Sequence, residues 1–198
     1  MFENIKADWG RYLSLTSRVH ESTFLRKFHL FYYEFGFQTT VVHRLGAWAR
    51  TELSSFGFIP LRYLFLVVYE VLHAMVQTLY GIDIHRHATI GKGLYIGHFG
   101  GIKIGRCTMG PGCSVHQQVK LDDDTTVGAR VWMGSHAVIN HGAVVEDDTT
   151  LAPGAVIPAC GIVKKHTLVM GAPARVIKRN YDNRALIGRP LAHAGGTK

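Results

Sequence analysis

The stretch GIDIHRHATIGKGLYIGHFGGI, residues 81–102, sets Asp83 and His98 fifteen positions apart. An acid and an imidazole are the pairing that general-base chemistry uses. The imidazole takes a proton from an attacking group, and a carboxylate behind it fixes its tautomer and steadies the imidazolium. Such a pair can meet only if the chain returns on itself between the two. The intervening residues offer a way, because Ile84, Ile90, Ile96 and Ile102 recur at every sixth position.

The same beat continues downstream. From Met109 to Val169 eleven consecutive sixth positions are apolar, and four residues after each comes a mostly small or β-branched residue such as Cys113, Val131 or Ala143. A helix wants spacings of three and four, and a half-buried strand wants two. A period of six fits a parallel β-helix, in which each hexapeptide is a short strand plus a turn and three make one coil. The upstream set runs one residue out of phase, since Ile102 and Met109 are seven apart. One extra residue, a local bulge within KIGRCT, accounts for this. Fifteen hexapeptides from Ile84 to Val169 then give about five coils. Gly105, Gly110, Gly128 and Gly134 suit the corners. Ile96, Val115, Met133, Leu151 and Val169 share one face, so His98, His116 and His136 should rise along one side of the prism, with His141 round the next corner. Asp83 and His98 fall just under one coil apart, which allows them to sit one above the other. The flat sides of such prisms favour cyclic assembly of identical chains.

The architecture is therefore mainly β: a β-helix domain over residues 81–172, preceded by an α-helical region, 1–80, and followed by a basic tail, 173–198. In the N-terminal region LRYLFLVVYEVLHAMVQTLY, residues 61–80, has its charged, imidazole and amide side chains only at Arg62, Glu70, His73 and Gln77, within about 80° of helical arc. It reads as a core helix packed under its neighbours or as a helix lying at a membrane surface. Crossing the membrane would place Glu70 near the midplane at high cost. FLRKFHLFYYEF and VVHRLGAWART interleave aromatics with bases, as an interface prefers. The net charge of +8 is concentrated in residues 164–198, which hold eight Lys/Arg against one Asp/Glu. That tail suits an acidic lipid or a phosphorylated cofactor. No clustered aromatic-basic face of the kind single-stranded nucleic acid needs is present, so no nucleic-acid partner is expected. Cys107, Cys113 and Cys160 are too few and too odd in number for a disulfide framework, and suit a reducing cytosol. The opening MFENIKADWGRYLSL lacks the basic-then-apolar order of a secretory signal. The expected location is cytoplasmic, peripheral at the inner face of the membrane.

GIDIHRHATIGKGLYIGH followed by GGIKIG resembles the serine acetyltransferase group of hexapeptide acyltransferases, and still more the polysaccharide-associated O-acetyltransferases with the same core. VMGAPARVIKR, residues 169–179, resembles the closing segment of many hexapeptide enzymes. The resemblance covers about residues 81–179. It implies a left-handed β-helix, a homotrimer or dimer of trimers, and acetyl-CoA as donor. It also implies a catalytic dyad at Asp83 and His98, with His98 as general base. A backbone N–H near Gly100 or Gly101 would steady the oxyanion. The neutral pantetheine arm of CoA suits a groove beside Gly134 and Ala152, and its phosphates call for cations such as Lys164, Lys165 and Arg175. Gly97, His116 and Gln117 are candidates for the acceptor side.

Members that acetylate serine carry an aspartate where Gly97 stands, and an extended loop with an Arg-His pair where VKLDDDTTVG runs straight on. These departures point to a more open acceptor site, and the expected activity is O-acetylation of a sugar or polysaccharide hydroxyl. Serine O-acetylation is the alternative. A second alternative is a zinc enzyme like the gamma-class carbonic anhydrases, because His136 and His141 have the spacing of that family's metal-binding pair and His98 or His116 offers a third imidazole. The early coils lack that family's arginine and aspartate, so no metal is expected.

Overall fold

The structure, a computed structural model, describes residues 2–16, 31–52, 59–98 and 100–188. Part of the aromatic-basic run, residues 24–30, and the last ten residues of the tail lie outside them. Among the described residues the helices α1 (Phe2–Thr16), α2 (Phe35–Thr51) and α3 (Ile59–Tyr80) come first. Sixteen short strands follow, from β1 (Ile82–Ile84) to β16 (Arg175–Arg179), and then a single turn of helix, α4 (Arg184–Ile187).

The strands form a parallel β-solenoid of five coils. Each strand pairs with the strand three places on, which creates three sheets. Face A stacks Ile84, Ile104, Leu121, Ile139 and Ile157; face B stacks Ile90, Met109, Val127, Val145 and Val163; face C stacks Ile96, Val115, Met133, Leu151 and Val169. All fifteen point inward and none is more than 7% exposed. This is the period of six at work. One apolar side chain per hexapeptide fills the prism, and full burial of each is worth about 1.5–3 kcal/mol. The last strand, β16, reverses direction and pairs antiparallel with β15 (Thr167–Met170) on face C.

The phase slip lies elsewhere than in KIGRCT. Ile84 pairs with Ile104, twenty residues on, and Ile102 pairs with Ile82. The surplus residues sit in the turn from Gly97 to Gly101, and the corner between Ile104 and Met109 is one residue shorter than the rule. In the strand Ile102–Ile104 both isoleucines are buried and Lys103 is exposed, so the period alone could not choose between them.

The corner glycines serve a different purpose from conformational freedom. A Cβ on Gly134 would lie 2.7 Å from the backbone nitrogen of Pro153 in the next coil, so glycine is needed there for close stacking. The left-handed turn positions fall instead on His98, Gln118, Asp124, Arg130, His136, Asp148, Cys160 and His166, together with several other glycines.

The first coil has no coil beneath it, and its lower edge offers unpaired backbone groups. The helices supply the partners. Tyr12 Oη accepts from Ile96 N at 2.8 Å and donates to Ile96 O at 3.2 Å. Asp8 accepts from Gly93 N and Leu94 N, and Arg44 donates to Ile90 O, to Gly91 O and to the Asp8 carboxylate. Arg11 donates to Gly93 O, Ser114 Oγ and Ile187 O, which ties α4 to the same cap.

The face that α3 turns outward overturns the expectation of a core helix. Only 11% of Leu61–Tyr80 is buried, and Ile59, Tyr63, Leu64, Val67, Val71 and Leu79 are each more than half exposed. The helix is held from the other side. Tyr69 is fully buried against Gly46, where a Cβ would meet its Cγ at 2.9 Å, and Arg50 lies over its ring at 5.0 Å.

Candidate active site

The edge between faces C and A carries most of the candidate residues. It contains the turns after Ile96, Val115, Met133 and Leu151, and so Gly97, His98, His116, Gln117, Gly134, His136 and Ala152. His98, His116 and His136 stand on one edge, as the register requires. His98 is exposed and holds a positive φ of 69° in the enlarged turn. A Cβ at position 97 would lie 2.9 Å from the Tyr95 ring and 3.2 Å from the His116 ring, so a side chain there obliges these rings to shift. On the next coil the neighbour of Gly97 is the His116 ring. That ring rests 4.8 Å from Trp132, and burial first and His98 second hold it below the usual histidine range. Gln117 Oε1 is buried without a hydrogen-bond partner.

Asp83 does not meet His98. It projects from β1 on face A, between the inward Ile82 and Ile84. Its carboxylate accepts from Gln77 Nε2 at 2.7 Å and lies 3.5 Å from His73 Nε2, both on α3. Sequence offset placed the two residues one above the other, but a strand position faces off the sheet, whereas a turn position faces off the edge. No ion pair joins His98 to a carboxylate among the described residues; the acid that feels its charge is Glu34, just before α2. Gly36 of that helix packs on Ile96, where a Cβ would lie 2.7 Å from Ile96 Cβ, and this docking sets Glu34 on the side of the first coil that carries His98. Burial holds the Glu34 carboxyl above the usual carboxylate range, and the His98 charge offsets part of the rise. Sequence reasoning missed Glu34; its one signal is an isolated acid within FYYEFGF. The amide of Gly100 donates to Tyr80 O at 2.9 Å, so it is already used and is not an oxyanion donor.

The expected donor-binding set is divided. Gly134 and Ala152, both buried, lie on the His98 edge. Arg175 pairs with Met170 at the top of face C, beside the same edge. Lys164 and Lys165 stand on the neighbouring edge between faces B and C, where Lys164 Nζ is 2.9 Å from Glu146 Oε1 and the Lys165 amide donates to Glu146 Oε2. His136 and His141 are likewise separated: strand Val138–Ile139 runs between them, so within one protomer their rings leave from different edges. Among the described residues no group of three His, Cys, Asp or Glu side chains surrounds a common point. Cys107 and Cys113 are buried, and burial pushes their thiols up to about 11 and about 12.

No family model matches the chain. A serine acetyltransferase of Bacillus pumilus is 36% identical over 120 residues, 57% of this chain and 54% of the relative. One from Synechococcus elongatus is 27% identical over 152 residues, 73% of this chain and 58% of the relative. A galactoside O-acetyltransferase of Escherichia coli is 29% identical over 76 residues, 36% of each chain. The chain spans little more than half the length of the first two. The expected lean toward polysaccharide O-acetyltransferases is not supported, because the longer matches are serine acetyltransferases. Among solved structures, the serine acetyltransferase of Neisseria gonorrhoeae superposes with a TM-score of 0.69 at 21% identity, over 96% of this chain and 70% of that one. A serine acetyltransferase in complex with CoA gives 0.61 at 18% identity, over 88% and 68%. Over more than half of its length the chain is similar in sequence to serine acetyltransferases, and it shares their fold.

Proposed function

We propose that the chain is an acetyl-CoA-dependent O-acetyltransferase with serine as acceptor and His98 as general base. The observation that carries this reading is the enlarged turn on the edge between faces C and A. It presents an exposed imidazole on the edge that also carries the small residues Gly97, Gly134 and Ala152. The likeness to serine acetyltransferases over more than half of the chain supports it. His98 takes the proton of the acceptor hydroxyl as its oxygen attacks the thioester carbonyl carbon. The tetrahedral intermediate then collapses, the carbon–sulfur bond breaks, and the departing thiolate of CoA takes the proton back from the imidazolium. Asp83, at the position that the resemblance matches to the family's acid, is turned to Gln77 and His73 and contributes to turnover only through the placement of α3; Glu34 steadies the charged form of His98. Gly134, Ala152 and Arg175 take the CoA arm and a phosphate. In a cyclic homotrimer a groove between protomers adds Lys164 and Lys165. Gly97 and the galactoside O-acetyltransferase relative favour a second reading, a sugar hydroxyl as acceptor.

Release of CoA thiol from acetyl-CoA, measured with serine and with a galactoside in turn, tests both. Turnover with serine that falls about 10²- to 10⁴-fold in His98→Ala, and by less in Asp83→Asn, is the expected result. Turnover with the galactoside alone would transfer the assignment to the second reading. Wild-type rates in His98→Ala would remove the general base.

A further inference from the structure

We propose that Glu34 binds the ammonium group of the amino-acid acceptor, and so selects serine over a hydroxyl compound that lacks an amino group. This inference rests on the serine reading above and names how that acceptor is held. Glu34 comes just before α2, and the residues after it are fastened on either side of the His98 turn. Gly36 packs on Ile96, which precedes the turn. The Phe35 ring stacks on Tyr80 at 4.5 Å, and the Tyr80 carbonyl accepts from Gly100 N, within the turn, at 2.9 Å. Tyr80 Oη also donates to Gln38 Oε1 at 2.6 Å, in the first turn of the same helix. The start of α2 is therefore held against the turn, and Glu34 stands beside it.

The Glu34 side chain is half-buried there without a partner. Among the described residues it makes no capping hydrogen bond and no ion pair. The one positive charge among them that bears on it is that of His98 when protonated. A carboxylate partly withdrawn from water with no cation beside it is destabilising. An ammonium group, with three N–H donors, relieves that cost through charge-assisted hydrogen bonds. In serine the ammonium and the hydroxyl sit on neighbouring carbon atoms. The group that takes the hydroxyl proton and the group that holds the ammonium must therefore stand close together, as the His98 turn and the start of α2 do.

Release of CoA thiol is measured for the wild type and for Glu34→Gln, with serine and with 3-hydroxypropanoate, which is serine without its amino group. The quantity compared is the ratio of kcat/KM for the two acceptors. Glu34→Gln keeps the shape of the side chain and removes its charge. Any effect of that charge on His98 is common to both acceptors and cancels in the ratio. The wild type should prefer serine, because a site built to bond a polar group rejects the analogue that lacks it. The preference should fall about 10- to 100-fold in the variant, the range of hydrogen bonds to charged groups, with the unfolding midpoint unchanged. A wild type that takes both acceptors equally well overturns the inference, and so does a variant that keeps the wild-type preference. A variant that unfolds earlier overturns it too, since the carboxylate would then have a partner within the chain. If the variant is too slow to assay, equilibrium dialysis of serine replaces turnover: weaker binding by the same factor supports the inference, and equal binding overturns it. Failure of the serine reading itself looks different, because the wild type then releases no thiol with serine, and the inference falls with that reading.

Discussion

The solenoid and the helical segment bury opposite kinds of surface. In the solenoid every coil turns one apolar side chain per hexapeptide into the prism, and its buried polar side chains are small hydroxyls such as Ser114, Thr125 and Thr149, while charged groups stay outside. In the helices the surface pressed on the solenoid is rich in charge, with Asp8, Arg11, Arg44 and His43 each no more than 5% exposed, while an apolar face looks outward. The difference follows from what each must satisfy. A coil in the middle of the stack has its backbone groups paired by the coils above and below. The first coil has bare carbonyls and amides on its lower edge, and only polar side chains can pair them. The helical segment is thus a polar cap on a β-stack.

The comparison breaks most visibly at Asp8. Replacing it with alanine leaves Arg44 buried without its carboxylate, and leaves the amides of Gly93 and Leu94 without an acceptor. Loss of one partner of a buried pair costs about 3–5 kcal/mol, and urea unfolding should show it. A loss below about 1 kcal/mol, the range of exposed pairs, would mean that water replaces Asp8 and that the cap is not sealed.

Leucine truncation contrasts the two regions directly. Leu121→Ala empties a site in the stack that is 1% exposed and should cost about 2–5 kcal/mol. Leu64→Ala removes a side chain 59% exposed on α3 and should stay within about 0.5 kcal/mol. Equal losses at both positions would show that the outward face of α3 is packed against something in solution.

The two regions were not equally legible in the sequence. The stack was, because its inward residue repeats fifteen times and one odd residue cannot hide the beat. The slip was misplaced because Ile102 and Ile104 are both aliphatic in an alternating strand, and the period accepts either. The Asp83–His98 pairing was overread because offset along a coil ignores which way each side chain leaves the backbone. Glu34 and the charged cap were not legible at all. They arise from helix docking, and no local pattern near Asp8, Glu34 or Arg44 records the coil they meet. The outward face of α3 was visible as an apolar arc, but its direction depended on Gly46 and Tyr69 fastening the other side.

Acid sharpens the contrast at His43. This side chain is 4% exposed, on α2 beside Ala88. Burial above all, and then the charges of Arg44, Arg50 and His73, push its pKa down to about 3, against about 6.5 in the unfolded chain. Between those values the unfolded chain binds a proton that the folded chain refuses, so stability is fully present above about pH 6.5 and is lost as the pH falls toward 3. From about pH 7 to about pH 5 this one group should remove about 2 kcal/mol, at about 1.4 kcal/mol per pH unit below 6.5. Urea unfolding of the wild type and of His43→Gln across that range isolates it, since every other titrating group is common to both. The slope should be shallower in the variant. Parallel slopes would place the acid sensitivity among the exposed histidines of the solenoid, and the cap would then respond to pH no more than the stack does.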